Sequence, residues 1–144
     1  MQKKLLVINA VGLTESLIEK YSTHIKSYLN KNKKCYLEAP IPAVTCTSQA
    51  NMLTGKNPCD HGIVANGWLF RDLSQIMLWR QSNSLVQSEK IWDVIKKRNP
   101  NFTASNMFLF YNMYLSVDFS MTPRPIYRSD GLKLPNTNSH SAEF

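Results

Sequence analysis

The chain has 144 residues, 43% apolar and 19% charged, a composition that excludes disorder and fits one domain with a core of its own. No apolar run approaches the roughly 20 residues that a bilayer-crossing helix needs, so no membrane partner is expected. Seventeen Lys and Arg against ten Asp and Glu give a net charge of +7. That balance favours anionic partners (phosphate compounds, nucleic acid, acidic lipid) without choosing among them. Much of the excess lies in residues 26–34 and 96–98, at the ends of predicted helices, where basic side chains suit the helix dipole. Cys35, Cys46 and Cys59 form no CxxC pair and no finger-like spacing. This argues against a disulfide framework or a cysteine zinc site, and for a reducing, cytoplasmic setting.

In chain order, Lys4-Leu-Leu-Val-Ile-Asn9 is a continuous apolar run closed by Gly12, the pattern of a strand buried on both faces. It has the basic start of a signal peptide, but lacks a small-x-small cleavage site and is interrupted by Thr14-Glu15. Thr14 is a candidate cap for a helix in which Leu17, Ile18, Tyr21, Ile25, Tyr28 and Leu29 recur at three- and four-residue steps to about Asn30. Cys35-Tyr-Leu-Glu-Ala39 reads as a second strand ended by Pro40 and Pro42, which completes a βαβ unit and implies a parallel sheet.

Residues 45–53 read as a short helix stopped by Gly55, and residues 56–67 as a Gly-, Asn- and Asp-rich loop. Trp68-Leu-Phe-Arg and Ile76-Met-Leu-Trp are placed as hairpin arms. Residues 88–98 form a second amphipathic helix, with Ile91, Trp92, Val94 and Ile95 inward, stopped by Asn99-Pro100. Residues 102–110 are a third buried-strand candidate and residues 111–127 are aromatic-rich and irregular. The domain is therefore drawn over residues 1–134, followed by a polar tail over 135–144. The fold class is α/β, a mainly parallel sheet with helices on both faces.

The chemistry concentrates in Pro42-Ala-Val-Thr45-Cys46-Thr47-Ser48, Thr54-Gly55 and His61-Gly-Ile-Val-Ala-Asn66-Gly67. A strand end, prolines and then hydroxyl residues where a helix begins make an anion site from free N–H groups and positive potential. Thr45 there could attack phosphorus. By residue type alone, Thr45 or Thr47 reads first as an N-cap. Gly55-Lys56 is not the end of a P-loop, because Ala50 stands at the earlier glycine and Asn57 at the Ser or Thr.

These motifs resemble the nucleophile region of the type I phosphodiesterase/nucleotide pyrophosphatase branch of the alkaline phosphatase superfamily. Its members read approximately Pro-Thr-x-Thr-x-Pro-Asn, Thr-Gly and His-Gly-Ile-Val-x-Asn, and the spacing matches without gaps over residues 42–67. Gly67-Trp68, Arg71-Asp72, Trp79, Gln81-Ser82-Asn83, Tyr111-Asn112-Met113-Tyr114 and Thr122-Pro-Arg-Pro125 are similar to a bacterial subgroup described as alkaline phosphatase family proteins. The resemblance implies an alkaline-phosphatase-like fold and a phosphate-ester or nucleotide substrate. It also implies hydrolysis of phosphate diesters or nucleotide pyrophosphate bonds with two zinc ions. Thr45 falls on the metal-bound nucleophile that becomes a phosphothreonine. Asn66 falls on the amide that donates to a phosphoryl oxygen. His61 belongs to the His-Gly motif and reads as a loop histidine bonded to backbone rather than a metal ligand.

Two departures stand out. Val11 occupies the place of the family's first metal-binding Asp, which leaves Asn9 as a weak amide ligand. After Asn66 the only histidine is His140, so an Asp-His plus His-His metal set cannot be assembled. The expectation is an incomplete, N-terminal portion of such an enzyme, inactive by itself. The alternative is a non-catalytic phosphate- or nucleotide-binding remnant. Nucleic-acid binding is disfavoured, because the aromatics read as core and no nucleic-acid motif is present.

Overall fold

The apolar residues that open the chain find no sheet to enter. In the computed structural model, which describes residues 4–141, Leu5, Leu6, Val7, Ile8 and Val11 are irregular in conformation and 76–87% exposed. Residues 35–39, the second expected strand, are likewise irregular and exposed. An all-apolar parallel strand depends on paired neighbours at both edges and cover on both faces. Neither segment has a strand partner among the described residues, so the βαβ unit does not form.

The chain divides after Glu38 into two units. In the first, Thr14 caps α1 (Glu15–Tyr21), its hydroxyl accepting from Leu17 N–H at 3.3 Å. The single predicted helix is split: Ser22 leaves helical geometry (φ −129°, ψ 84°), and α2 (Thr23–Lys31) follows. The hydrogen bonds nevertheless run on through the break, since Ser22 N–H donates to Ile18 O and Ser22 O accepts from Lys26 N–H, both at 3.0 Å. The Ser22 side chain makes no capping hydrogen bond at the break. Neither helix contains a buried residue, and the ion pairs Lys34–Glu15 and Lys26–Glu19 lie on their exposed surface.

The second unit begins with α3 (Thr45–Thr54), ended as expected by Gly55 in the left-handed region at φ 65°. The predicted loop that follows contains one helical turn, α4 (Pro58–His61), where Asp60 Oδ2 accepts from Asn57 N–H at 3.3 Å. β1 (Gly67–Phe70) and β2 (Gln75–Leu78) form the expected antiparallel hairpin, with Leu69 opposite Ile76. α5 (Ile91–Arg98) starts three residues later than predicted, because Asp93 Oδ2 reaches back to Lys90 N–H at 3.0 Å and fixes the start there. Trp92 is its buried residue; Ile91 and Val94 point to solvent (56% and 37% exposed) rather than inward.

The third strand shrinks to β3 (Ser105–Met107), ended where Phe108 turns to φ 65°. The aromatic-rich stretch yields β4 (Phe119–Pro123) and β5 (Ile126–Tyr127), and β6 (Lys133–Leu134) pairs with β5. Within the polar tail, β7 (Thr137–His140) pairs antiparallel with β4. The architecture is mixed α/β, but the sheets are small and mostly antiparallel rather than one mainly parallel sheet. Only β3 and β4 pair in parallel among the described strands. Tight turns after β1 and β5 return the chain beside itself, which dictates antiparallel pairing; parallel pairing needs a long crossover. No helix among the described residues is long and apolar enough to cross a membrane.

Two apolar clusters hold this unit. One joins Cys46, Ala50, Ile63 and Tyr111, flanked by Trp68, Leu85, Val86 and Phe110; the other joins Trp92, Leu115 and Val117. Each fully buried large side chain contributes about 1.5–3 kcal/mol. The hairpin closes tightly at Gly67, where an added Cβ would lie 2.3 Å from Leu78 Cδ2 and 2.6 Å from Met77 O. The second clash is with backbone, so the strands themselves must part. Gly67→Ala is expected to cost about 1–3 kcal/mol, read as a lower urea midpoint. An unchanged midpoint would mean that the hairpin is not closed there.

Candidate active site

The site is built on the first turn of α3. Val44 occupies the cap position in extended geometry (φ −120°, ψ 157°), and its side chain has no oxygen to offer. The first backbone bond of the helix runs from Ser48 N–H to Val44 O at 2.9 Å. The N–H groups of Thr45, Cys46 and Thr47 are therefore left outside the helical ladder. Neither Thr45 nor Thr47 is the cap, so residue type alone misleads on this point.

Asn66 takes one of those donors. Its side-chain Oδ1 accepts from Cys46 N–H at 3.0 Å, and its backbone O accepts from Trp79 N–H at 2.9 Å. Because an N–H needs an acceptor, the first contact fixes which side-chain atom is oxygen and leaves Nδ2 as an uncommitted donor. The motif asparagine and the motif threonine are thus brought together, across a bond to the residue that follows Thr45. Thr45 is half-buried, and its hydroxyl has no hydrogen-bond partner among the described residues. The N–H groups of Thr45 and Thr47 are likewise unpartnered there. A positive helix end with two free N–H groups and a nearby amide donor can hold the oxygens of a phosphoryl group.

Cys46 is fully buried, and burial pushes its thiol above the usual range, so it remains protonated and offers no rival nucleophile. His61, also fully buried, accepts from Ile63 N–H through Nδ1 at 3.0 Å. That sets the tautomer: Nε2 carries the proton and donates to Asn51 Oδ1 of α3 at 2.8 Å. Burial also lowers its pKa, so the ring is a neutral tie between α3 and the loop after α4, bonded to backbone as its sequence context suggested.

Several supporting residues carried no sign of their role in the sequence, although Gln81 and Asn83 lie within the pattern shared with the bacterial subgroup. Gln49 Oε1 of α3 accepts from Phe110 N–H at 2.8 Å, and Gln81 Oε1 accepts from Tyr111 N–H at 3.2 Å. Lys90, only 1% exposed, donates to Asn83 Oδ1 and, at 3.2 Å, to Tyr111 O. A lysine just before a helix rich in basic residues reads as surface, and nothing in the pattern marks it as internal.

The metal ligands fit poorly. Asn9 is exposed and outside any strand, and Thr45 opens α3. Both offer neutral oxygens. Among the described residues no three His, Cys, Asp or Glu side chains gather into a cluster. Residues 4–141 do not supply the donor set of a two-zinc centre.

With this geometry in view, the family model for type I phosphodiesterase / nucleotide pyrophosphatase matches residues 5–142. The chain belongs to that family of phosphate-ester hydrolases. No curated protein and no solved structure matches it.

The buried His61 gives a pH signature. Its folded pKa lies below the ordinary 6.5, so the unfolded chain takes up its proton first as the solution is acidified. Stability is expected to be unaffected by this group well above pH 6.5 and to fall as pH drops below it. His61→Gln should remove that slope from urea midpoints measured between pH 7.5 and 5.5, about one unit either side of the ordinary value. A slope that survives the substitution would refute the assignment.

Proposed function

We propose that the first turn of α3 is a phosphoryl-binding site, and that Thr45 is the group that receives the phosphoryl in hydrolysis of a phosphate diester or nucleotide pyrophosphate bond. The bond from Asn66 Oδ1 to Cys46 N–H is the observation that carries this reading. It gathers Thr45, Asn66 and the free N–H groups at one helix end. In the reaction, Thr45 Oγ1 forms the new P–O bond as the ester's leaving oxygen departs, and the hydroxyl proton ends on that oxygen or in solvent. Water then releases the phosphate and restores the hydroxyl. The Nδ2 of Asn66 and the helix N–H groups act on the non-bridging oxygens, where negative charge must be held.

Activation of the Thr45 hydroxyl is not supplied by residues 4–141, where no acidic or imidazole cluster gathers. The chain by itself is therefore expected to turn over slowly or not at all. The same observation favours a second reading, a phosphate- or nucleotide-binding protein that keeps the recognition end of the site without its chemistry.

Turnover of bis(p-nitrophenyl) phosphate with and without added zinc, together with binding of inorganic phosphate and AMP, separates the two. If the chain is catalytic, Thr45→Ala abolishes turnover and Asn66→Ala lowers it by about 100- to 1,000-fold. If it only binds, AMP shifts the amide resonances of residues 45–47, zinc changes nothing, and Asn66→Ala weakens the binding. Turnover untouched by Thr45→Ala would overturn the first reading. Ligands that leave residues 45–47 unmoved would overturn both.

A further inference from the structure

Lys90 is the largest fully buried side chain among the described residues and has no part in the phosphoryl site itself. Its ammonium lies between Asn83 Oδ1, the carbonyl of Tyr111 at 3.2 Å, and the ring of Trp92 at 5.7 Å. The carbonyl it holds belongs to an unusual residue. Tyr111 is in the left-handed region at φ 57°, a conformation that a bulky L-residue adopts only when its surroundings impose it.

The Tyr111 turn is held by side chains from several elements. Gln81 takes its N–H, Gln49 of α3 takes the N–H of Phe110 before it, and Lys90 takes its carbonyl. The Tyr111 ring in turn packs in one cluster with Cys46, Ala50 and Ile63. Cys46 is the residue whose N–H holds Asn66 and which directly follows Thr45. An unbroken series of contacts therefore runs from the Lys90 ammonium through Tyr111 to the first turn of α3.

We propose that Lys90 is a positioning residue for the Thr45–Asn66 site, its buried ammonium holding the strained Tyr111 turn against α3 and so fixing the bond between Cys46 and Asn66. The proposal rests on the reading of Thr45 as the phosphoryl-binding residue. A structural lysine could hold Tyr111 without any effect at Thr45. A positioning lysine transmits its own state there, and its ionisation is a convenient probe.

Burial lowers the Lys90 pKa to about 8, with the Asp93 carboxylate acting the other way. The groups that line the ammonium, other than that carboxylate, add no competing titration. Asn83 and Trp92 carry no titratable proton, and burial drives the Tyr111 phenol and Cys46 thiol upward.

The test is a pH titration of the whole chain by amide NMR between pH 7 and 9, about one unit either side of the Lys90 midpoint. The expected result is that the backbone amides of residues 45–47 and the Asn66 side-chain amide shift with the same midpoint as the Lys90 amine, near 8. In Lys90→Met those shifts vanish. The proposal is overturned if the Lys90 amine titrates while residues 45–47 and Asn66 stay still, or if they still shift in Lys90→Met. Should Lys90→Met fail to fold, the titration of the unaltered chain decides alone. Inorganic phosphate added to the same sample tests the underlying reading separately: phosphate that does not move residues 45–47 removes the phosphoryl site but leaves the coupling standing.

Discussion

The hydrogen bond from Cys46 N–H to Asn66 Oδ1 is the contact on which the rest of the candidate site depends. An N–H at a helix start that loses its partner on burial costs about 1–3 kcal/mol, so the bond stabilises the fold as well as shaping the candidate site. It also does two geometric jobs. It holds a side-chain amide at the positive end of α3, and it ties that end to the hairpin, because the Asn66 carbonyl receives Trp79 N–H just past β2. Using a side chain at a distance of 20 residues, rather than a local cap, leaves the neighbouring N–H groups of Thr45 and Thr47 free for a ligand.

Elsewhere in this unit, polar side chains take over the work that a large sheet would do. Gln49, Gln81, Lys90, His61 and Asn112 each make their main bonds to backbone atoms or amides of other segments. Asn112 alone donates to the carbonyls of Asn106 and Met121, both at 3.1 Å, and so pins the connection between the parallel strands β3 and β4. Apolar contacts are non-directional, whereas these bonds specify position to a few tenths of an ångström. Their cost is desolvation: a buried ammonium such as Lys90 is tolerated only because acceptors and an aromatic face surround it.

Local signals in the sequence were legible, and long-range ones were not. The Thr14 cap, the Gly55 stop and the hairpin depend on near neighbours and appear where the residues put them, the hairpin connection running over residues 71–74 rather than the expected 72–75. The two early strands depended on partners that hydrophobic pattern cannot name, and residues 5–11 remain exposed despite being the most strand-like run in the chain. β7 was hidden for the converse reason: Thr137-Asn-Ser-His140 has no apolar alternation, and its pairing comes from β4. Thr45 and Asn66 could be chosen from motif spacing, but the cap at Val44 could not, since valine is among the poorest caps by type. Lys90 illustrates the limit most clearly, because burial of a charge is decided by the segments that close over it.

Recognition and catalysis make different demands on this helix end. Binding a phosphoryl group needs donors and positive potential, and α3 offers two free N–H groups, the dipole of a ten-residue helix and the Nδ2 of Asn66. Transfer of that group also needs the Thr45 hydroxyl to lose its proton, and an unperturbed hydroxyl is a weak nucleophile at neutral pH. Nothing at the first turn of α3 takes that proton. Cys46 is held protonated, and the neutral imidazole of His61 has both nitrogens committed, to Ile63 and Asn51. The donors that recognition requires are therefore present in one helix turn and its asparagine, while activation calls for acidic or imidazole groups that residues 4–141 do not gather. On the proposed reading, a site divided in this way would keep its donors while lacking the group that activates Thr45.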